Sequence, residues 1–459
     1  MNKLLFYIRK ITITGLFVVV LLSLGSCKKF LTPNPEPDAI TASNVFTTEA
    51  SATSAVLGIY TMMMEGGIGE GLNNGNLGAM TGLAADELND YTQHYLDWEK
   101  DQVDYVGASV PGYYFWSTGY SVIYQCNAAI EGMSGTTDSV MKQLLGEAYF
   151  VRAFCYFNMV NMWGAVPLVT TTNYTTTATL ARTDTSDVYK QILGDLREAE
   201  SLLTTTYPSG QEVRANVYVA QALLARYYLY QGNYAMAETE ADSVLAGPYQ
   251  LETSLNQVFL TTSTEVIWQL LPTAEGHNNT FDYSIYTPTS SGPVFYLTSS
   301  LVGAFEPGDQ RASVWVTPFT YSGTTYYYAS KYVAAPSAAN TEDNVAFRLA
   351  EQYLIRAESR AEQGNLSGAA SDLNMIRNRA GLANTTAATQ PALLTAILQE
   401  RRVELFTEWG HRWFDLKRTG NANAVLGALK STWTSDAQFL PIPQNEIAAD
   451  PNLTQNPGY

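Results

Sequence analysis

Residues 400–420 read ERRVELFTEWGHRWFDLKRTG, and residues 439–459 read FLPIPQNEIAADPNLTQNPGY. In and just before the first block, Leu394, Ile397, Leu398, Leu405 and Trp409 recur at helical spacing and predict a buried stripe. Arg401 falls inside that stripe. A buried guanidinium left alone costs several kcal/mol, so Arg401 needs a partner. Nearby glutamates or carbonyls of the Pro-rich tail are the expected ones, and Glu404 and Glu408 can also pair with Arg412. Glu400, Glu404, Glu408, His411 and Asp415 then serve the fold, and no catalytic residue is assigned. The tail ends in Asn456-Pro457-Gly458-Tyr459 and is expected to dock on the body.

Outward from this block, helical periodicity dominates the chain. Ala220, Leu223, Leu224, Tyr227 and Tyr228 form one stripe. Leu349, Ala350, Tyr353, Leu354, Ala357 and Ala361 form another. Each must bury against a neighbouring helix. The stretches from Leu224 and from Ile355 share Gln-Gly-Asn, at 231–233 and 363–365. Glycine supplies a left-handed helix stop and asparagine caps the next helix. This is similar to the tetratricopeptide unit, a helix–turn–helix of about 34 residues. A third unit is expected from Gly146–Gly164 with the helix from Ser186, and a fourth from Ala50–Met64 with Trp116–Ile130. Residues 247–345 differ: they are rich in Thr, Ser, Tyr, Gly and Pro. Val266–Leu270 and the run Thr324–Val333 read as short strands there.

The two C-terminal blocks resemble the hallmark of the SusD/RagB family. Further markers are Lys29-Phe30-Leu31, Phe46-Thr47-Thr48, Arg152-Ala153, Gly164–Leu168, Glu265-Val266-Ile267 and Asp309-Gln310-Arg311. One departure is Trp409, which separates Glu408 from Gly410 where the family has Glu and Gly adjacent. The resemblance implies a mostly α fold: a SusD-like scaffold of four tetratricopeptide-type units with an irregular, loop-rich sub-region holding a few short strands. It implies a surface lipoprotein that captures nutrients, mostly glycans, for a SusC-like TonB-dependent transporter. It also implies that the hallmark residues are not ligand contacts.

The N-terminus reads as an export signal. Lys3, Arg9 and Lys10 precede an apolar run, Ile11–Leu24, too short for a membrane span and right for a signal peptide. Leu24-Gly25-Ser26-Cys27 then looks like a lipobox, so Cys27 is the expected lipidation site and outer-membrane anchor. The expected organisation is 1–26 signal peptide, 27–37 lipidated cysteine and Pro-rich tether, 38–246 N-terminal helical region, 247–345 loop-rich sub-region and 346–459 C-terminal region. Cys126 and Cys155 are expected as buried thiols.

Formal net charge is −17, and −20 once residues 1–26 are removed. Nucleic acid is bound through clustered Lys and Arg, so no nucleic-acid partner is expected. Three scattered histidines (94, 277, 411) and no Cys-x-x-Cys give no metal site and no cofactor. There is no Gly-x-Ser-x-Gly elbow, and GGIGEG (66–71) lacks phosphate-loop spacing.

Binding chemistry is better represented, by 30 Tyr and 8 Trp. Flat aromatic faces cover the C–H surfaces of sugars, while carboxylates and amides take the hydroxyls. In DELNDYTQHYLDWE (86–99), a helix would align Tyr91, Tyr95 and Trp98, flanked by Asp86, Asn89, Asp90 and Asp97; a core stripe led by Leu88 is the alternative. In HNNTFDYSIY (277–286), Asn278, Asp282, Tyr283 and Tyr286 are candidates. Trp315 and Tyr326 complete the set. The expected ligand is an oligosaccharide. A peptide, as on the RagB side of the family, is the alternative; a surface glycosidase is a further one.

Overall fold

The computed structural model describes residues 42–64, 75–106, 111–273 and 277–459. The signal peptide, Cys27, the tether and the GGIGEG run lie outside the described residues. A single helical turn spans Ala42–Val45. The body runs from Glu49 to Tyr459. Labelling helices of eight or more residues, it contains α1 (Glu49–Met64), α2 (Asn76–Ala84), α3 (Pro111–Met133), α4 (Ser139–Trp163), α5 (Thr185–Leu202) and α6 (Val217–Tyr230). They are followed by α7 (Tyr234–Leu245), α8 (Leu349–Glu362), α9 (Leu366–Arg379), α10 (Gln390–Glu404), α11 (His411–Arg418) and α12 (Ala422–Leu429). Among the described residues the short strands are β1 (Leu88–Asp90), β2 (Val266–Leu270), β3 (Phe295–Leu297), β4 (Val316–Tyr321), β5 (Thr324–Ala329) and β6 (Asn344–Arg348).

The expected helix pairs α1/α3, α4/α5, α6/α7 and α8/α9 all pack together, and α3 on α4, α5 on α6 and α7 on α8 make the run continuous. The two Gln-Gly-Asn turns behave as their residues require. Gly232 and Gly364 take φ of 68° and 82°. The Asn233 and Asn365 side chains accept from the amides of Met236 and Gly368 at 3.3 and 3.1 Å. Alanines 350, 357, 361 and 369 then let α8 and α9 close around Leu354, Leu373 and Ile376. Cys126 and Cys155 are buried and free.

The hallmark block is structural, by a different wiring from the one the spacing suggests. The helix ends at Glu404, and its buried stripe is Leu393, Ile397, Glu400, Arg401 and Glu404, with Leu394 and Leu398 half-buried. Beyond it, Thr407, Trp409 and Gly410 take φ of 58°, 46° and 76°. The residue that interrupts the family pattern sits in this turn: Trp409 is buried and donates its indole N–H to the Val345 carbonyl at 2.8 Å. Arg401 pairs with Asp415 at 2.7 Å, not with a glutamate or the tail. Glu404 meets Arg311 at 2.8 Å, Arg348 at 2.5 Å and also Arg379. Glu408 meets Arg348 and Lys331 at 2.8 and 2.5 Å. Arg412 instead holds Asp86, with Arg402, both at 2.7 Å. The spacing failed here because these partners come from distant segments that a single helix cannot reveal.

β2 and β6 pair antiparallel, with Val266 opposite Arg348, and carry Glu265 and Arg348 into this network. Burial pushes the Glu404 carboxyl up, but Arg379, Arg348 and Arg311 overcome it and hold the group well below the usual carboxylate range. Burial moves Lys331 the other way, down to about 8, although Glu408 opposes the shift.

The tail docks as expected. Leu440 donates its amide to the Met162 carbonyl at 2.8 Å, and Trp163 donates its indole N–H to Pro441 at 3.0 Å. Asn456 donates to the carbonyls of Trp163 and Leu440 at 2.9 and 2.7 Å.

Candidate functional site

Residues 86–99 do not form one continuous helix; only Leu96–Glu99 make a helical turn. β1 pairs antiparallel with β3, placing Leu88, Asn89 and Asp90 opposite Leu297, Tyr296 and Phe295. A strand sends alternate side chains to opposite faces. Leu88, Asp90, Phe295 and Leu297 are buried, and the paired Asn89 and Tyr296 share the partly exposed face. β5 packs beside β3 and pairs with β4 through a Ser322-Gly323 turn, whose φ angles of 49° and 79° suit a tight hairpin.

These strands assemble a shallow aromatic platform. Tyr91 meets Tyr321 and Tyr326 edge-on, with ring centroids 5.9 and 5.5 Å apart. Tyr326 meets Tyr296 at 4.9 Å. Phe319, opposite Tyr326 in the hairpin, stacks on Tyr321 at 6.3 Å and 13°. All five rings are partly exposed. Within the described residues, neither the four phenols nor the Asn89 carboxamide makes a hydrogen bond. Gly292 lies beneath Tyr321, where a Cβ would come within 3.1 Å of the ring.

Asp90 fixes the loop that presents Tyr91. Its carboxylate accepts from the Thr92 amide and hydroxyl at 2.8 and 2.6 Å and from the Tyr95 amide at 2.6 Å. The Asp90 amide in turn donates to Glu99 at 2.7 Å. Burial raises the Tyr296 phenol, with Glu99, Tyr326 and Asp90 adding to the shift.

The structure therefore joins Asn89, Tyr91 and Tyr326 and separates the other candidates. Tyr95 packs on Phe295, away from the Tyr296 face. Trp98 is fully buried against Phe115. Asp86 is buried between Arg402 and Arg412. Trp315 is buried and donates to the Leu255 carbonyl at 3.0 Å. Asp282 is buried and accepts from Thr280 and Asn344, and Tyr286 is buried with its hydroxyl toward Thr407. These five side chains belong to the interior. Asn278 is exposed and donates to the Ala338 carbonyl, and Tyr283 is half-buried on the turn Asp282–Tyr286. Tyr296, Phe319 and Tyr321 were missed in the sequence. The alternation in Phe-Tyr-Leu and the Ser-Gly pair after Tyr321 were the signals available for them.

Two clefts of about 520 Å³ open elsewhere, beside Tyr105 and Tyr459 and beside Tyr230 and Tyr234. Of the charges that line them, Asp101 pairs with Lys430 and Arg418 pairs with Glu358. Among the described residues no cluster of three or more His, Cys, Asp or Glu could hold a metal ion, and no helix is long and apolar enough to cross a membrane.

A family model described as the SusD family matches residues 173–459. The chain belongs to the SusD family. A second model, described as starch-binding and associating with the outer membrane, matches residues 41–229. SusD-like protein P38 of Formosa agariphila is 26% identical, over 98% of this chain and 99% of its own length. Starch-binding protein SusD of Bacteroides thetaiotaomicron is 24% identical, over 74% of this chain and 77% of its own. Among solved structures, a laminarin-binding SusD-like protein superposes with a TM-score of 0.76 at 24% identity, covering 89% of this chain and 99% of that one. A SusD superfamily protein from Bacteroides vulgatus gives 0.78 at 21% identity, covering 90% and 99%. At these identities the structural matches speak for the SusD fold alone.

Proposed function

We propose that this chain captures an oligosaccharide at the cell surface on the Tyr91–Tyr296–Phe319–Tyr321–Tyr326 platform, anchored to the outer membrane through a lipid on Cys27. It then presents the ligand, chemically unchanged, to a SusC-like TonB-dependent transporter. The platform is the observation that carries this reading. Solvent-facing rings with unused phenols, beside the free Asn89 amide, offer C–H stacking and hydroxyl recognition together. A starch-binding relative, a laminarin-binding structural neighbour and a family description naming the outer membrane support it. The hallmark carboxylates are engaged in ion pairs, which supports binding without bond cleavage.

Titration calorimetry of the purified protein against maltooligosaccharides, laminarin oligosaccharides and a peptide library tests the proposal. Binding of one glycan series, with no new reducing ends, is expected. Release of reducing sugar would support the glycosidase, and selective peptide capture would support the RagB-like alternative. Co-purification of the transporter from native membranes tests the delivery step.

A further inference from the structure

Three segments build the platform: LNDYTQHYLDWE (88–99), TSSGPVFYL (289–297) and VTPFTYSGTTYYYA (316–329). They carry Asp90, Asp97 and Glu99, the exposed His94 and no lysine or arginine; the exposed Lys100 follows the first segment. An anionic sugar substituent, a uronate or a sulfate, is normally held by Arg, Lys or free backbone N–H groups. Four backbone donors around Tyr91, those of Asp90, Tyr91, Thr92 and Tyr95, are already used. Those of Thr92 and Tyr95 go to Asp90, that of Asp90 goes to Glu99, and that of Tyr91 goes to the Val294 carbonyl at 2.9 Å. The free polar groups beside the platform rings are neutral: the Asn89 carboxamide and the phenols of Tyr91, Tyr296, Tyr321 and Tyr326.

We infer that the platform selects an uncharged glycan and turns away uronate-rich and sulfated ones. This rests on the platform being the ligand site. The shift at Tyr296 agrees: after burial, Glu99, Tyr326 and Asp90 all add to it. A unit charge roughly 8 Å from a carboxylate, in water, loses about twofold in affinity. Glu99 and Asp90, the two carboxylates that act on Tyr296, together disfavour an anionic ligand by roughly fivefold, before the absence of a cationic partner is counted. Asn89 is the hydroxyl reader: it stands directly across from Tyr296 on the same face and offers a donor and an acceptor.

Calorimetry with matched oligosaccharides decides this. Neutral gluco-, manno- and xylo-oligosaccharides are compared with oligogalacturonate, oligoalginate and a sulfated oligosaccharide, each at 20 and 300 mM salt. A neutral series is expected to bind with a Kd that salt leaves unchanged, and the acidic series at least tenfold more weakly. Glu99→Gln, which keeps an acceptor for the Asp90 amide, is expected to improve acidic binding about twofold and leave neutral binding alone. An acidic glycan that binds more tightly than every neutral one, and loses affinity as salt rises, overturns the inference while leaving the platform as the site. Failure of every glycan, with an unchanged melting curve, removes the platform reading itself and this inference with it.

Discussion

Replacing Glu404 with glutamine takes one charge from a site where Arg311, Arg348 and Arg379 converge. All four side chains are at most 3% exposed, so water cannot compensate. Glutamine keeps the shape and one acceptor but turns a donor toward three cations. Each arginine retains another carboxylate: Asp309 and Glu400 for Arg311, Glu265 and Glu408 for Arg348, and Glu265 for Arg379. The loss should therefore fall at the lower end of what removing one member of a buried ion pair costs, about 3 kcal/mol. Urea unfolding measures it as a lower midpoint with an unchanged slope. Glycan affinity in the folded variant should not change. The depressed carboxyl also gives a pH signature. Its stabilisation is present above the unfolded value near 4.5 and is lost as pH falls toward the folded value. The variant should therefore lose less stability than the wild type below pH 4.5. A loss below 1 kcal/mol, or a variant that stays stable but no longer binds glycan, would refute the structural reading of the hallmark.

Glu87 gives the opposite slope: burial raises it to about 8, with Asp86 adding and the Thr407 amide opposing. Between pH 4.5 and 8 the folded protein holds a proton that the unfolded chain releases, so this group makes stability fall by up to about 1.4 kcal/mol per pH unit; Glu87→Gln should flatten that fall in urea titrations across the range. Gly78→Ala should cost about 1–3 kcal/mol in the same assay, because a Cβ there lies 2.2 Å from the Thr407 carbonyl oxygen, backbone that cannot swing aside. Asn365→Ala, which removes the cap of α9, should cost about 1 kcal/mol and leave binding intact.

The helical frame was legible because its signals are local. The alanine-flanked stripes and the Gln-Gly-Asn turns each specify one helix end and the next helix start, and the structure uses both turns that way. Arg401 was legible as a buried charge. Its partner Asp415 was not, because the helix stops at Glu404 and the chain reverses through Thr407, Trp409 and Gly410. The site was harder still. Tyr91, Tyr95 and Trp98 fit a helix stripe by spacing, but pairing with β3 makes a strand of Leu88–Asp90. That turns Tyr91 toward the platform and leaves Trp98 to a separate buried turn. Tyr326 and Tyr91 are 235 positions apart, and no local pattern announces that they touch.

The platform itself is tested most directly by calorimetry of Tyr91→Ala combined with Tyr326→Ala against the glycan the wild-type protein binds. Stacking on two rings is lost at once, and the account predicts a Kd at least about thirtyfold weaker, from about 1–3 kcal/mol per stacking face by analogy with base stacking, with an unchanged urea midpoint. Wild-type affinity in that double variant would contradict it.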